Sequence, residues 1–381
     1  MLSSSLARTR RASSALAVAA VLLAGCAAPA PQPTTPPSPS PSETPATGLA
    51  EAFAAQLEQA GVPGGVLAVR TGDETLAYPV GVADAEGTPV SDATLFAYRS
   101  ITKSFVVTAL LQLAGDAALD LDAPSPAPVT GVPDTATLRQ LAAMTSGVPN
   151  YSAQPGLMTA ISAEPDRSFT DDDLFALVEG LGEVFAPGTS YEYSNTNTLL
   201  IGRAIESATG QPWADVVLER VAGPLLLDSV TYPGDAPEPP EDAASPFQLD
   251  PDGAPEALPW VRASAFSAAG GLWGTASDLA EWAEALGTGA LLRPETFEQR
   301  LAAFGPTTAD AQSPYYDAYG LGIGRIGDWI GHTGNGLGYQ ALAMHDPASG
   351  ISVAIVLNAT GVDGDLPAHM LEALEPEILA G

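Results

Sequence analysis

Lys103 is the only lysine in a chain of 381 residues, and it stands three positions after Ser100, with thirteen arginines elsewhere. Arginine fills most surface roles at least as well as lysine, but it cannot shed its proton and act as a base. Two side chains three apart on a helix share a face, so the amine of Lys103 can reach the hydroxyl of Ser100. At a helix start, backbone N–H groups without intrahelical partners also lie where an oxyanion would form. The pairing therefore reads as an activated serine nucleophile, its plain alternative being a lysine lying along the surface. Two further clusters carry suitable groups. Tyr193-Ser194-Asn195 offers a phenol to relay a proton and a carboxamide to orient a substrate amide, although Asn195 would equally serve as a helix cap. His332-Thr333-Gly334-Asn335 ends a strand pattern; Gly334 would let a substrate backbone approach closely, and an ordinary turn would look the same.

Competing chemistries find no support. Gly322-Ile323-Gly324-Arg325-Ile326-Gly327 spells a dinucleotide fingerprint, but it falls among strand patterns rather than between a strand and a helix. There is no Gly-x-Ser-x-Gly elbow, and His332, His345 and His369 lack zinc-ligand spacing, so we expect neither metal nor cofactor. A net charge of −31 disfavours nucleic acid as a partner.

Elements to position these residues can be read along the chain. Leu49, Phe53 and Leu57 outline an amphipathic helix; Gly65–Val69 and Thr75–Val80 alternate as strands around a Thr71-Gly72-Asp73 turn. Ser100 to about Gly115 is the strongest helix pattern. From about Asp116 to Ala263 helices and loops alternate without a convincing strand. Leu199–Ala208 is one of those helices, and Pro233–Pro259 reads as a long surface loop. Strand patterns return at Trp329–Thr333, Tyr339–His345 and Ile351–Leu357, and a last helix carries Leu366, Met370, Leu371 and Leu374 on one face. The expected fold is α/β (an α+β sandwich): an antiparallel sheet made by both chain ends (48–115 and 264–381), flanked by helices, with residues 116–263 as a helical insert.

The N-terminus reads as an export signal over 1–25: Arg8, Arg10 and Arg11, then an apolar run from Ala15 to Ala24, too short to span a bilayer. Leu23-Ala24-Gly25-Cys26 has the form of a lipoprotein cleavage box, with the chain's single cysteine where lipid would be attached. Residues 26–47, nearly all Pro, Ser, Thr and Ala, would be a solvated spacer. We therefore expect an exported protein on the outer membrane face, secreted if the box is not used, its charge near −34 once the three arginines are removed.

In this order, Ser-x-x-Lys, Tyr-x-Asn and His-Thr-Gly resemble the motifs of the penicillin-binding and class C β-lactamase-like serine hydrolases. The resemblance runs from about Leu49 to the end and takes in Leu138-Arg139-Gln140-Leu141, Ser146-Gly147 and Ala269-Gly270-Gly271-Leu272. The histidine of the third motif makes the chain look most like serine DD-carboxypeptidases, since most class C β-lactamases carry lysine there. The resemblance implies Ser100 as nucleophile, with Lys103 and Tyr193 sharing acid–base duty. It places Asn195 on the substrate amide, His332 and Thr333 on the substrate terminus, and the backbone N–H groups of Ser100 and Asn335 in the oxyanion hole. A protonated His332 would then hold a terminal carboxylate. The implied activity is D-alanyl-D-alanine carboxypeptidase chemistry on small cell-wall peptides by a monomer. An esterase, an amidohydrolase or a weak β-lactamase would use the same machinery, and a penicillin sensor would acylate without turnover.

Overall fold

Each strand near the middle of the sheet sends small residues to one face and large ones to the other. Ala68, Ala343 and Ala354 share a face, whereas Leu67, Leu342 and Ile355 share the opposite one. The small face admits the helix Ala276–Thr288 at close range: a side chain on Gly287 would collide with His345. The large face is covered by the first and last helices, Pro45–Ala60 and Leu366–Ala380, through Phe53, Leu57, Met370, Leu371 and Leu374. Both faces being covered explains why the strands Tyr339–His345 and Ile351–Leu357 are buried along their whole length.

The computed structural model describes residues 45–125, 135–308 and 314–380, with side chains from residue 48. Cys26, the export signal 1–25 and nearly all of the spacer 26–47 lie outside the described residues. The main sheet has eight antiparallel strands in the order 74–81, 64–71, 351–357, 339–345, 329–336, 324–326, 318–319 and 305–306. Strands from both chain ends thus join in one sheet, through the pairing of 64–71 with 351–357, as the strand patterns predicted.

Between the two sheet halves lie helices at Leu138–Ala142, Pro155–Ala163, Asp171–Ala176, Asn195–Thr209 and Trp213–Val217. This stretch also holds two strands where none was expected, Phe247–Leu249 and Pro255–Ala257. They form a hairpin inside the predicted Pro233–Pro259 loop, and its first strand pairs with Ala359–Thr360 near the other end of the chain. Three-residue strands carry too few positions for alternation to register.

The helix Thr102–Gly115 runs through the core and is fixed along its length. Phe105 stacks on Trp282 with ring centres 3.9 Å apart, and the Trp282 indole donates to Ser104 Oγ at 2.9 Å. Further along, the buried Arg300 guanidinium donates to Thr108 Oγ1 at 2.7 Å. A helix held at several points presents its first turn in one position.

Candidate active site

Ser100 stands not in the helix proper but in a single 3₁₀ turn, Arg99–Ile101, that leads into it. Arg99 takes a left-handed conformation, φ 50°, which turns the chain sharply into the motif. Its guanidinium packs 4.0 Å from the centre of the Phe266 ring and donates to the carbonyl oxygens of Gly336 (2.9 Å) and Leu337 (3.2 Å). The residue before the nucleophile therefore ties the Ser100 turn to the end of the strand Trp329–Gly336. Gly334 closes the same joint. A methyl group there would collide with the Tyr98 carbonyl and stand 3.0 Å from the Ser100 nitrogen. On the side where a Cβ would stand, the close approach at Gly334 is made by the chain's own Tyr98–Ser100 backbone, while Gly334 also lines the cavity beside Ser100. That approach sets Ser100 and Asn335 side by side.

Lys103 is fully enclosed. Its Nζ lies 2.9 Å from Ser100 Oγ and donates to the Ala269 carbonyl at 2.6 Å. Burial, with no carboxylate to offset it, holds its pKa well below the usual lysine range. Tyr193 turns its ring toward the same nitrogen, 5.1 Å from the ring centre. Burial drives the phenol pKa well above 10, and nearby Tyr316 adds to the rise while the Ser100 hydroxyl works against it. Tyr193 thus holds its proton, and its hydroxyl has no hydrogen-bond partner of good geometry. An amine poised to accept and a phenol poised to donate flank one serine.

Asn195 begins the helix Asn195–Thr209, the N-cap position being Ser194. Its Nδ2 donates to Ser152 Oγ at 2.6 Å, and its N–H to Asn150 Oδ1 at 3.1 Å. Neither Asn150 nor Ser152 was legible as a site residue, because no motif spacing links them to Asn195.

His332 departs from its expected role. The imidazole is completely buried, with Nδ1 close to the Thr333 carbonyl (2.7 Å) and Tyr316 hydroxyl (3.1 Å) and Nε2 2.9 Å from the Tyr319 hydroxyl. Burial, with a smaller push from Lys103, lowers its pKa to about 3. It is therefore neutral at ordinary pH and unable to grip a terminal carboxylate. Thr333, in contrast, lines the cavity, its Oγ1 2.9 Å from the Tyr316 hydroxyl.

Two cavities meet at Ser100, and their walls differ. One, of about 260 Å³, is mainly apolar, with Leu157, Met158, Ile161, Phe266 and Leu337 and the edge of Arg99. The other, of about 210 Å³, is polar, with Tyr193, Asn195, Thr333, Gly334 and Asp365. Asn335 borders both. Among the described residues no His, Cys, Asp and Glu cluster could hold a metal ion.

An antiparallel sheet between helical layers, with a serine and a desolvated lysine at the mouth of two cavities, defines a serine hydrolase of the β-lactamase fold. The family model described as Beta-lactamase matches residues 49–375, and the chain belongs to that family. The chain is 28% identical over 306 residues to Esterase EstB of Burkholderia gladioli, covering 71% of this chain and 72% of the esterase. It is 32% identical over 184 residues to a D-aminopeptidase of Cereibacter sphaeroides, 47% of this chain but 35% of that enzyme, so it spans about a third of that relative's length. Among solved structures, a D-stereospecific amidohydrolase from Streptomyces sp. superposes with TM-score 0.73 at 28% identity, over 86% of this chain and 97% of that one. The D-amino acid amidase of Ochrobactrum anthropi SV3 complexed with D-phenylalanine gives TM-score 0.74 at 26% identity, over 86% and 99%.

Proposed function

We propose that the chain hydrolyses small esters or amides with an apolar acyl group through an acyl-enzyme on Ser100. The observation that carries this reading is the buried Lys103 amine 2.9 Å from Ser100 Oγ, held where its neutral form is favoured. Lys103 takes the hydroxyl proton as Ser100 Oγ bonds to the carbonyl carbon. The resulting oxyanion is held by the Ser100 and Asn335 N–H groups. Tyr193 passes its proton to the leaving nitrogen or oxygen as that bond breaks, and recovers one from Lys103. Water then repeats the sequence on the acyl-enzyme and releases the acid. Asn195 and Thr333 orient the substrate from the polar side.

D-alanyl-D-alanine carboxypeptidase activity, implied by the resemblance, is less well supported. That leaving group ends in a carboxylate, and the only charged residue among those described lining the polar cavity is Asp365. The names of the relatives, an esterase, an aminopeptidase and amidases, agree with an ester or amide substrate. The test is a panel of nitrophenyl ester, anilide of an apolar acid, D-Ala-D-Ala peptide and cephalosporin, with the acylated residue mapped by mass spectrometry. Turnover of ester or amide with an adduct on Ser100 supports the proposal. Preferred turnover of the peptide would restore the carboxypeptidase, a single stoichiometric burst would indicate a penicillin sensor, and an adduct on another serine would overturn the assignment.

We also propose export and a lipid tether at Cys26, supported by the basic, apolar and Leu-Ala-Gly-Cys succession of residues 8–26. Metabolic labelling with a lipid precursor should mark the protein. Cys26→Ser should move it to the soluble, secreted fraction, and unchanged membrane fractionation would remove the tether.

A further inference from the structure

The two cavities can be assigned to the two halves of a substrate, an assignment that rests on the acyl-enzyme reading above. The leaving atom has to sit beside the group that protonates it, and that group is Tyr193. Tyr193 lines the polar cavity and a further cavity of about 500 Å³ beyond it, and takes no part in the apolar one. The polar side therefore receives the leaving group and the apolar side the acyl group.

Charge on the leaving-group side has one sign. Asp365 is the charged residue among those described around the polar cavity, and Glu183 and Glu192 are those around the cavity beyond it; no lysine or arginine lines either. Asp365 is half-buried, makes no ion pair with a lysine or arginine among the described residues, and accepts a hydrogen bond from the Tyr315 N–H at 3.2 Å. The Tyr193 hydroxyl, buried and without a hydrogen-bond partner of good geometry, stands at the wall of both cavities. On the acyl side the only charge among the described residues is the opposite one, Arg99, a buried guanidinium bound to carbonyl oxygens and, among those residues, to no carboxylate. A substrate bearing an ammonium is thus repelled on the acyl side and attracted on the other.

We propose that the site selects substrates with a cationic leaving group: esters or amides of apolar acids whose alcohol or amine half carries an ammonium near the scissile bond. Asp365 is the residue that sets the preference.

Three butyryl esters of similar size test this: those of choline, of its neutral isostere 3,3-dimethylbutanol, and of 4-hydroxybutyrate. In the native protein kcat/KM should fall in that order. The choline ester should lead the neutral one by about tenfold, as a unit charge a few ångströms from a half-buried carboxylate warrants. Asp365→Asn should bring that ratio close to one, and Asp365→Glu should retain it. Should Asp365→Asn fail to fold, product inhibition of the native protein reports the same preference, with choline binding about tenfold tighter than 3,3-dimethylbutanol. Equal rates for the charged and neutral esters, equal inhibition by the two alcohols, or a ratio unmoved in folded Asp365→Asn would overturn the proposal. Hydrolysis of all three esters at one rate would leave the acyl-enzyme standing and remove only the charge preference. Failure of every ester to acylate Ser100 would remove the acyl-enzyme itself.

Discussion

Lys103 donates a 2.6 Å hydrogen bond to the carbonyl of Ala269 while lying 2.9 Å from Ser100 Oγ. The first contact fixes the direction of the amine, so that its lone pair can face the serine once the nitrogen is neutral. Burial favours that neutral form. A guanidinium in the same place would remain charged and could not take a proton. Lys103→Arg should therefore be nearly as damaging as Lys103→Ala, each lowering the acylation rate at least about a hundredfold. Acylation by the native protein should be lost as pH falls through the depressed lysine pKa, and should already be complete below the ordinary lysine range. Stopped-flow acylation across pH measures both. Near-native rates in Lys103→Arg would reduce Lys103 to an electrostatic element.

Tyr193 separates substrates by their leaving groups. Its phenol pKa is raised by burial, so it enters the reaction protonated and acts as an acid. A departing amide nitrogen needs that proton, whereas nitrophenolate leaves without one. In Tyr193→Phe the acylation rate for amides should drop about a hundredfold, and that for nitrophenyl esters by clearly less. Equal losses for the two substrates would indicate that the ring positions the site and the hydroxyl transfers nothing.

Gly334 is where the third motif meets the nucleophile. A methyl group there runs into the Tyr98 carbonyl and crowds the Ser100 nitrogen, both parts of a backbone that cannot yield as a flexible side chain would. Gly334→Ala should push the strand Trp329–Gly336 away from Ser100 and widen the gap between the two oxyanion donors. An oxyanion contact is worth about a hundredfold or more in rate. The loss should therefore appear in kcat, with the affinity for a ground-state inhibitor little altered. A variant with native kcat would show that the joint can shift without opening the oxyanion site.

Much of this arrangement was legible because it is local. Ser100 and Lys103 are three residues apart, and the strands Tyr339–His345 and Ile351–Leu357 are mainly apolar runs of seven residues. What was hidden depends on distant chain. His332 looked like a cation for substrate because the His-Thr-Gly motif puts it where most of the resembling class C β-lactamases carry lysine. Its environment is set instead by Tyr316 and Tyr319, on the hairpin that precedes its strand and folds beside it. Asp365 reaches the pocket from the start of the last helix, and Arg99 acts through carbonyls at Gly336 and Leu337. In each case the chemistry depends on partners that neither the spacing nor the residue types around the motif disclose.

His332 supplies the last prediction, and its sign follows from its burial. Unfolded, the imidazole titrates near pH 6.5. Folded, it resists protonation down to about pH 3. Above the unfolded pKa both states are neutral and the histidine contributes no pH dependence. As pH falls between those values the unfolded chain takes up a proton that the folded chain refuses, so stability declines by roughly 1.4 kcal/mol per pH unit from this one group. Carboxylates with depressed pKa values, such as Asp84 and Asp122, add their losses only near and below their ordinary range. Between pH 6.5 and 5, Lys103 and His345, which burial also depresses, slope the same way, and His369, raised by Asp363, slopes the other way, so the His332 share is the difference between the native protein and a variant without the imidazole. Asparagine or glutamine can keep a hydrogen bond to Tyr316 or Tyr319 without titrating. Chemical denaturation of the native protein and of His332→Gln at intervals across that range should give a falling curve for the first and a flatter one for the second, whatever their stabilities at neutral pH. Parallel curves would mean that the imidazole is protonated in the folded state after all, and the carboxylate-reading role would return.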